Sequence, residues 1–289
     1  MTSISNNVLS IQISSKGAEL QSIYHLQNKL EYLWSGDADY WGKKSPVLFP
    51  IVGELKNGVY SYKGKEYKLA RHGFAREMEF ELTSRSEDSV TFSIKSNKET
   101  QAVYPFSFTF SVHYTLLENS LQVTYMVENT GDDKMYFSVG GHPAFKVPLV
   151  EGTTYEDYEL LFSDKETTGR YPLSPKGLIE PEPVMLLNHE DVLPLKKELF
   201  SADAIVLKEL KSNSVQLKSN KTKNGLHFNF EGFPYLGLWE TKQGDFLCIE
   251  PWCGIADSVN ATGQLEEKEG INLLQPSDVF LASFTVSFF

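Results

Sequence analysis

Cysteine is scarce in this chain of 289 residues, which contains only Cys248 and Cys253. Two cysteines are too few for a disulfide framework of the kind that stabilises small secreted domains. Their spacing matches neither a Cys-x-x-Cys motif nor a zinc-binding set of cysteines and histidines. We therefore expect both residues to be reduced thiols in the core, which is the usual state of buried cysteine in a reducing compartment.

The chain also lacks long apolar runs and an excess of positive charge. No apolar run approaches membrane-spanning length, and the first residues have neither the basic nor the apolar region of a signal peptide. Lys and Arg total 27 against 38 Asp and Glu, giving a net charge of −11. This balance disfavours binding to nucleic acid or anionic membranes, and no basic stripe is present. We predict a cytoplasmic protein that binds neither.

Several signatures of cofactor and metal chemistry are missing as well. The sequence has no Walker A or Rossmann glycine pattern, no His-Glu-x-x-His and no Gly-x-Ser-x-Gly. Any reaction that this protein catalyses is therefore expected to need only side chains that donate and accept protons.

What is present is a dominant alternation of apolar and polar residues. The clearest run covers Phe106–Leu116, and after Glu118–Ser120 the pattern resumes over Leu121–Val127. Such alternation is typical of strands with one buried face, and the short polar connection predicts a hairpin. Aromatic residues make up 13% of the chain and favour sheets over helices. We predict an all-β fold, a large antiparallel β-sandwich with few short helices.

Helical periodicity is limited to two short segments, Tyr155–Leu161 and Leu195–Phe200. Val47–Gly58 is punctuated by proline and glycine, and Ser163–Pro183 is rich in Pro, Gly and charge, so both are predicted to be loops. The second could be a linker, but composition does not change across it and strand-like alternation continues beyond it. We therefore predict a single domain over residues 1–289.

A carboxylate interrupts the apolar run between Phe246 and Asp257. We expect Glu250 to lie at the dry end of a strand, where desolvation raises the pKa of a carboxyl group and makes it a better base. The structural alternative is an ion pair with a buried Arg or Lys, because buried carboxylates are usually paired.

Two histidines have settings that indicate acid/base chemistry on a small polar molecule. His142 stands between a glycine pair and a proline, which holds its imidazole at the end of a strand predicted at Met135–Val139. His72 follows Arg71, and neighbouring cations disfavour the charged imidazole, so we expect a neutral ring. The alternative for each is a turn or loop histidine without a function.

Other residues could contribute to a binding site. Trp239 and Trp252 could provide apolar platforms for a sugar face, although tryptophan is more often part of the core. Asp203 precedes an apolar strand-like run, where it could cap a turn or accept hydrogen bonds from a ligand.

Motifs spread along nearly the whole chain, and in the same order, resemble those of the aldose 1-epimerase (galactose mutarotase-like) family. The closest similarity is to its LacX-like bacterial branch. The motifs are Lys16–Ser22, Pro46–Gly53, Asn57–Gly58, Arg71–Arg76, Gly141–Phe145, Ser201–Ala204 and Ile249–Gly254. The resemblance implies a β-fold of the supersandwich type, with the sugar site in an open cleft on one sheet. It also implies an isomerase that interconverts α and β anomers at C1 without cofactor or metal.

The resemblance further implies a role for individual residues. Glu250 corresponds to the general base and His142 to the general acid, while His72 corresponds to the histidine that polarises the ring oxygen. Asp203 falls near the aspartate that binds sugar hydroxyls, and Trp239 is a candidate platform. We expect Glu250 and His142 to converge across a gap the width of a pyranose.

One departure from the family pattern concerns the residue after the glycine of the Phe-Pro…Gly segment. Many family members carry an arginine there, whereas this chain has Glu54, and the opposite charge cannot replace the bidentate guanidinium. Arg71, Arg76, Lys43 or Lys44 could supply a cation instead, for a sugar phosphate as in the related hexose-6-phosphate epimerases, or could be ordinary solvated charges. A non-catalytic protein that binds or senses a sugar is the third hypothesis. The expected partner is a small sugar or sugar phosphate, and the expected state a monomer or homodimer.

Overall fold

Antiparallel strands make up most of the regular structure in the computed structural model, which describes residues 1–241 and 243–289. The strands are, in chain order, β1 (Thr2–Ser5), β2 (Leu9–Ile13), β3 (Leu20–His25), β4 (Leu30–Glu31), β5 (Val47–Leu48), β6 (Val59–Tyr62), β7 (Lys65–Lys68), β8 (Glu81–Arg85), β9 (Ser89–Lys95), β10 (Phe108–Leu117), β11 (Ser120–Asn129), β12 (Met135–Phe137), β13 (Val139–Gly141), β14 (Ala144–Lys146), β15 (Tyr158–Arg170), β16 (Val184–Pro194), β17 (Ile205–Lys208), β18 (Ser214–Ser219), β19 (Leu226–Asn229), β20 (Tyr235–Trp239), β21 (Phe246–Cys253), β22 (Asn272–Leu274) and β23 (Val279–Phe288). The helical elements are α1 (Lys98–Val103) and short 3₁₀ turns at Lys56–Gly58, Ala75–Glu77, Tyr155–Asp157, Lys197–Phe200 and Leu265–Glu267.

Two large sheets dominate the architecture. Nine strands form one sheet in the order β16-β15-β18-β19-β23-β11-β10-β9-β8. A second sheet has the order β17-β20-β21-β13-β5, and β14 pairs with β21 beside it. A smaller sheet contains β1 to β4, and the remaining pairs are β12-β22 and β6-β7. The named strands pair antiparallel, so the predicted antiparallel all-β fold is confirmed.

The hairpin predicted from the alternating run is present as β10 and β11. It begins at Phe108 rather than Phe106, and its last pair joins Leu117 to Ser120. Glu118 in the two-residue turn has a φ of 53°, the left-handed conformation that tight hairpin turns require. Alternate residues of both strands are buried, which is the physical reason for the period of two.

The main core lies between the two large sheets. Leu247 and Ile249 point from β21 into this core, which also contains the apolar residues of β10, β11 and β23. Aromatic rings join the layers, since Phe49 stacks on Phe110 with ring centroids 4.5 Å apart. The six-stranded sheet therefore has one face on the core and the opposite face free to form a site.

Both predicted helices were wrong in extent. In the first segment a 3₁₀ turn covers only Tyr155–Asp157, and β15 follows at once because Tyr158, Leu160 and Phe162 are buried in alternation. In the second, only the single 3₁₀ turn Lys197–Phe200 forms.

The loop prediction for Ser163–Pro183 was also partly wrong, because β15 continues to Arg170 and pairs with β16 through several register shifts. The carboxylate of buried Glu166 accepts the Ser212 amide N–H at 2.7 Å, which ties this extension to the sheet. The predicted strand Met135–Val139 is broken at Ser138, whose amide donates to the Pro50 carbonyl instead of a neighbouring strand. The loop predicted at Val47–Gly58 contains β5 and one 3₁₀ turn.

The two cysteines are unpaired and buried, as predicted. Among residues 1–241 and 243–289, no helix has both the length and the apolar character needed to cross a membrane.

Candidate functional site

The free face of the six-stranded sheet forms the floor of a cleft with a volume of about 540 Å³. This size is within the range of small-molecule sites, which measure roughly 300–1,000 Å³. Seven of the residues singled out in the sequence line it; they are Glu250, His142, His72, Asp203, Arg71, Arg76 and Trp239. The fold therefore brings together side chains that are far apart along the chain.

Strand β21 supplies the floor through its alternation. Cys248, Glu250 and Trp252 point away from the main core, whereas Ile249 and Cys253 point into it. Glu250 lies in the middle of the strand, so the expectation that it ends a strand was wrong. Its side chain is nevertheless almost fully buried, which is the dry environment that the sequence predicted.

Small residues on the neighbouring strands make room above this floor. Gly140 on β13 is opposite Trp252, and a Cβ atom at Gly140 would be 2.7 Å from Trp252 Cδ1. The absence of a side chain at this position lets the indole lie flat on the sheet.

His142 and Glu250 are in direct contact. His142 follows β13, where its amide donates to the Pro46 carbonyl at 3.1 Å. Its Nε2 atom lies 3.3 Å from Oε1 of Glu250, so the expectation of a gap the width of a pyranose was wrong. The other atoms of the pair, Nδ1 of His142 and Oε2 of Glu250, are buried and have no hydrogen-bond partner among residues 1–241 and 243–289.

Burial controls the protonation of this pair. It raises the pKa of Glu250 well above the ordinary value, although the Arg71 guanidinium acts in the opposite direction. It lowers the pKa of His142, and Arg71 and Arg76 lower it further. Two groups that interact this closely titrate as a unit, and these directions favour a state in which the pair holds one proton.

His72 is held as a neutral imidazole with a defined tautomer. The Gly53 amide N–H donates to Nδ1 of His72 at 3.0 Å, so the ring proton resides on Nε2. Burial lowers the pKa of His72 well below its ordinary value, and His142, Arg71 and Arg76 contribute in that order. The predicted neutral ring is supported, although burial has a larger effect than the neighbouring cations.

Asp203 and two arginines, Arg71 and Arg76, also line the cleft. Oδ2 of Asp203 lies 3.9 Å from Nη1 of Arg71, and Nη2 of Arg76 donates to the Arg71 carbonyl at 3.0 Å. Asp203 has a φ of 74° and His72 a φ of 68°. Both residues therefore have the left-handed backbone conformation, which Asp and His adopt more readily than most other non-glycine residues.

The alternative sources of positive charge lie outside the cleft. Lys43 Nζ is 2.8 Å from Oε1 of Glu77, and Lys44 Nζ donates to the Gln21 carbonyl. Glu54 does not line the cleft, although Gly53 before it does. Among the candidates named from the sequence, Arg71 and Arg76 therefore supply the cations.

The tryptophans of the chain gather at this site. Trp41, Trp239 and Trp252 line the cleft, and Trp34 lies behind them, where its indole N–H donates to the Trp41 carbonyl at 2.9 Å. Trp41 stacks on His142 with ring centroids 4.9 Å apart, and Trp239 meets the same imidazole edge-on at 5.4 Å.

Sequence reasoning missed two parts of the site. Trp41 forms one wall, and its aromatic neighbourhood was the only local signal for it. Leu173, Gly177 and Ile179 line the cleft from the segment predicted as a loop. The glycine and apolar residues of this polar segment indicated that it packs against the rest of the protein, but they did not indicate that it packs beside the cleft.

The architecture defines a class of protein, an antiparallel β-sandwich with an open polar cleft and a buried carboxylate–imidazole pair on its floor. The sequence profile of the aldose 1-epimerase family matches residues 1–271, and the chain belongs to this family. This confirms the resemblance found in the sequence motifs.

Relatives are similar over their whole length. The plasmid and chromosomal LacX proteins of Lactococcus lactis subsp. lactis are each 39% identical over 293 residues, covering 98% of both chains. A galactose mutarotase related enzyme from Lactobacillus acidophilus has 38% identity and a TM-score of 0.95, covering 100% of this chain and 97% of its own. A galactose mutarotase-like protein from Lactobacillus casei has 28% identity and a TM-score of 0.92, with complete coverage of both chains.

Proposed function

We propose that this protein is an isomerase that interconverts the α and β anomers of a hexose, with Glu250 as general base and His142 as general acid. The observation that carries the proposal is the 3.3 Å separation between the carboxylate and the imidazole. Mutarotation acts on the anomeric hydroxyl and the ring oxygen, which are bonded to the same carbon. Groups that exchange protons with both oxygens must therefore be close neighbours.

At rest the single proton of the pair lies on the Glu250 carboxyl, because burial raises the pKa of Glu250 and lowers the pKa of His142. In the proposed cycle this proton first passes to Nε2 of His142 across their 3.3 Å contact, and it is then sufficient for the whole cycle. Glu250 accepts the proton of the anomeric hydroxyl while His142 gives its proton to the ring oxygen, and the C1–O5 bond breaks. The C1–C2 bond of the open-chain aldehyde then rotates. On closure Glu250 returns its proton to the former carbonyl oxygen, and His142 recovers one from the C5 hydroxyl. No net proton is gained or lost, and no cofactor takes part in the proposed cycle.

Other cleft residues hold the sugar in place for this chemistry. The Nε2–H group of His72 donates a hydrogen bond to the ring oxygen, since its Nδ1 is already occupied by the Gly53 amide. Asp203 and Arg71 offer an acceptor and donors to sugar hydroxyls across the cleft. The Trp239 ring supplies an apolar surface for one face of the pyranose.

The test is polarimetry or saturation-transfer NMR on freshly dissolved, anomerically pure hexoses. We expect Glu250→Gln to lower the catalysed rate by about 10²–10⁴, the usual contribution of a proton-transfer residue. Glu87→Gln, which changes an exposed carboxylate, serves as the matched control. A wild-type acceleration that survives Glu250→Gln eliminates the proposed base.

A phosphorylated hexose is a second candidate substrate, because Arg71 and Arg76 both line the cleft. Guanidinium groups bind phosphate through paired hydrogen bonds. This candidate predicts turnover of glucose 6-phosphate in preference to glucose, with activity that falls steeply as salt concentration rises. Sugar-induced thermal stabilisation without faster anomer exchange would instead identify a non-catalytic sugar-binding protein.

We also propose a cytoplasmic location and a monomeric or homodimeric state. The unpaired thiols of Cys248 and Cys253 support the former, because a reducing compartment keeps cysteines in this form. Cell fractionation tests the location, and light scattering coupled to size-exclusion chromatography tests the oligomeric state.

A further inference from the structure

Cys248 lies beside the carboxylate–imidazole pair. It precedes Glu250 by two residues on β21, so the alternation of the strand places both side chains on the same face. One nitrogen of His142, the sulfur of Cys248 and one oxygen of Glu250 all lie within 4.8 Å of one another, and the three residues are buried. Cys248 itself packs among Phe246, Ala144 and surrounding tryptophans behind the cleft.

We propose that these three side chains form a binding site for a soft divalent cation, with Zn²⁺ as the best match, and that the ion inhibits the protein. The site uses one nitrogen, one sulfur and one oxygen ligand, a combination that zinc accepts. The cleft supplies the open fourth position for a water molecule or a sugar hydroxyl. The ion is an inhibitor here and takes no part in the proposed catalytic cycle.

The geometry of the pair already fits tetrahedral coordination. Nitrogen and oxygen ligands at about 2.0–2.1 Å from zinc are about 3.3 Å apart at the tetrahedral angle. The His142 Nε2 and Glu250 Oε1 atoms are separated by the same 3.3 Å. The Cys248 sulfur lies within 4.8 Å of one ring nitrogen of His142 and one carboxylate oxygen of Glu250, and it needs to approach these atoms by no more than about 1.3 Å.

Proton release balances the charge of the bound ion. The thiol of Cys248 loses its proton to become a ligand, and the carboxylate–imidazole pair loses the one proton that it holds. Two protons therefore leave for each ion that enters, and the thiolate and carboxylate together neutralise its two positive charges. A neutral assembly avoids the large cost of burying net charge. Because the ion occupies the lone pairs of both the base and the acid, it blocks proton transfer by either.

The test titrates the purified protein with Co²⁺, which replaces zinc in such sites and gives a thiolate-to-metal charge-transfer band in the near ultraviolet. We expect one Co²⁺ per chain, loss of the band when Zn²⁺ is added, and inhibition of anomer exchange by Zn²⁺. Cys248→Ala should abolish the band and weaken the inhibition by more than about 100-fold. Removing a residue that hydrogen-bonds to a metal ligand lowers metal affinity by about 10–100-fold, and removing the ligand itself lowers it further. Cys253→Ala is the matched control, because Cys253 lies on the same strand but points into the core.

The outcomes separate this inference from the proposed function. A Co²⁺ band in a protein without epimerase activity leaves the metal site standing and removes the proposed function. A wild-type protein without the band, a band that persists in Cys248→Ala, or full activity with Zn²⁺ bound overturns the inference. If Cys248→Ala does not fold, as judged by circular dichroism, His142→Ala removes a second ligand and should also weaken Co²⁺ binding by more than about 100-fold.

Discussion

Gly237 on β20 lies directly opposite Glu250 on β21. A Cβ atom at Gly237 would be 2.3 Å from Cζ2 of Trp252, which is closer than any real contact. The missing side chain therefore allows the Trp252 indole to cover the strand next to the buried carboxylate. This close approach is a position where only glycine fits.

Gly237→Ala should therefore damage the site through Trp252. The added methyl group must push the indole out of its position, and overpacking of this kind typically costs about 1–3 kcal/mol of stability. We expect the variant to be destabilised by this amount and to lose anomer-exchange activity, because the displaced ring intrudes on the cleft. Chemical denaturation and polarimetry measure the two effects.

Gly131→Ala is the control for this variant, since a Cβ atom there meets no described atom closer than 3.4 Å. If Gly237→Ala matches Gly131→Ala in both stability and activity, the position of the Trp252 indole does not require a glycine at residue 237.

The pH dependence of activity should reflect the one-proton state of the His142–Glu250 pair. Because the pKa of His142 is lowered below its ordinary 6.5, the pair takes up a second proton only at lower pH. Because the pKa of Glu250 is raised above 4.5, the pair keeps its single proton well above that value. We expect kcat/KM to stay level as the pH falls through 6.5 and to decline only below it. Polarimetry from about pH 5 to about pH 9, with the buffer rate subtracted, measures the profile. A fall centred at or above pH 6.5 contradicts the assignment.

His72 should be observed as the neutral tautomer that carries its proton on Nε2. The Gly53 amide fixes this tautomer by donating to Nδ1, and burial keeps the ring uncharged by lowering its pKa. Nitrogen-15 NMR of the histidine side chains at pH 6.5 measures this state directly, with His72→Gln used to assign the signal. A signal typical of imidazolium, or of a proton on Nδ1, would disprove the proposed hydrogen bond to the sugar.

Glu240 should make stability depend on pH. Its buried carboxyl lies 3.0 Å from Lys197 Nζ, yet burial raises its pKa to about 7, while Lys197 lowers it only in part. The folded-state pKa exceeds the ordinary 4.5, so the protonated form favours folding. This contribution is fully present below pH 4.5 and is lost as the pH rises through about 7.

We therefore expect Glu240→Gln to gain stability relative to the wild type between about pH 5 and about pH 8. Urea denaturation at the two pH values measures the free energy of unfolding, and Glu87→Gln is the exposed control. If the wild type instead becomes more stable relative to Glu240→Gln between these two pH values, the ion pair with Lys197 stabilises the charged carboxylate more than burial destabilises it.

The chain should unfold as a single unit, as expected for one domain over residues 1–289. The main core contains residues from both ends of the chain, including Ile4 and Phe288, together with residues of the six-stranded sheet such as Ile249. Disrupting either large sheet should therefore expose the other. Thermal unfolding followed by circular dichroism and by tryptophan emission should give coincident transitions, and two separate midpoints would argue for independent domains.

The strands and several site residues could be predicted from the sequence because they depend on local sequence patterns. The alternation around Phe110 and Val123 identified strands because burial of one face imposes a period of two. Short motifs identified Glu250, His142 and His72 because each carries glycine, proline or apolar neighbours that constrain it. The helix predicted at Tyr155–Leu161 failed because its apolar residues suit a strand once a partner sheet is present.

Relationships that depend on strand register could not be predicted. The direct contact between His142 and Glu250 arises because β13 and β14, which precede and follow His142, both pair with β21, a pairing that no local pattern encodes. The same pairing brings Cys248 next to His142, although the cysteine spacing gave no indication of it. The extension of β15 to Arg170 likewise depends on its partner β16 rather than on its own polar sequence.

Three of the four tryptophans of the chain, Trp41, Trp239 and Trp252, line one cavity, and Trp34 lies directly behind them. Intrinsic emission from this protein therefore has no background from distant indoles. Occupancy of the cleft by a sugar or a metal ion should shift or quench nearly the entire signal. Ligand affinities can thus be measured on the unlabelled chain, even in variants that no longer turn over a substrate.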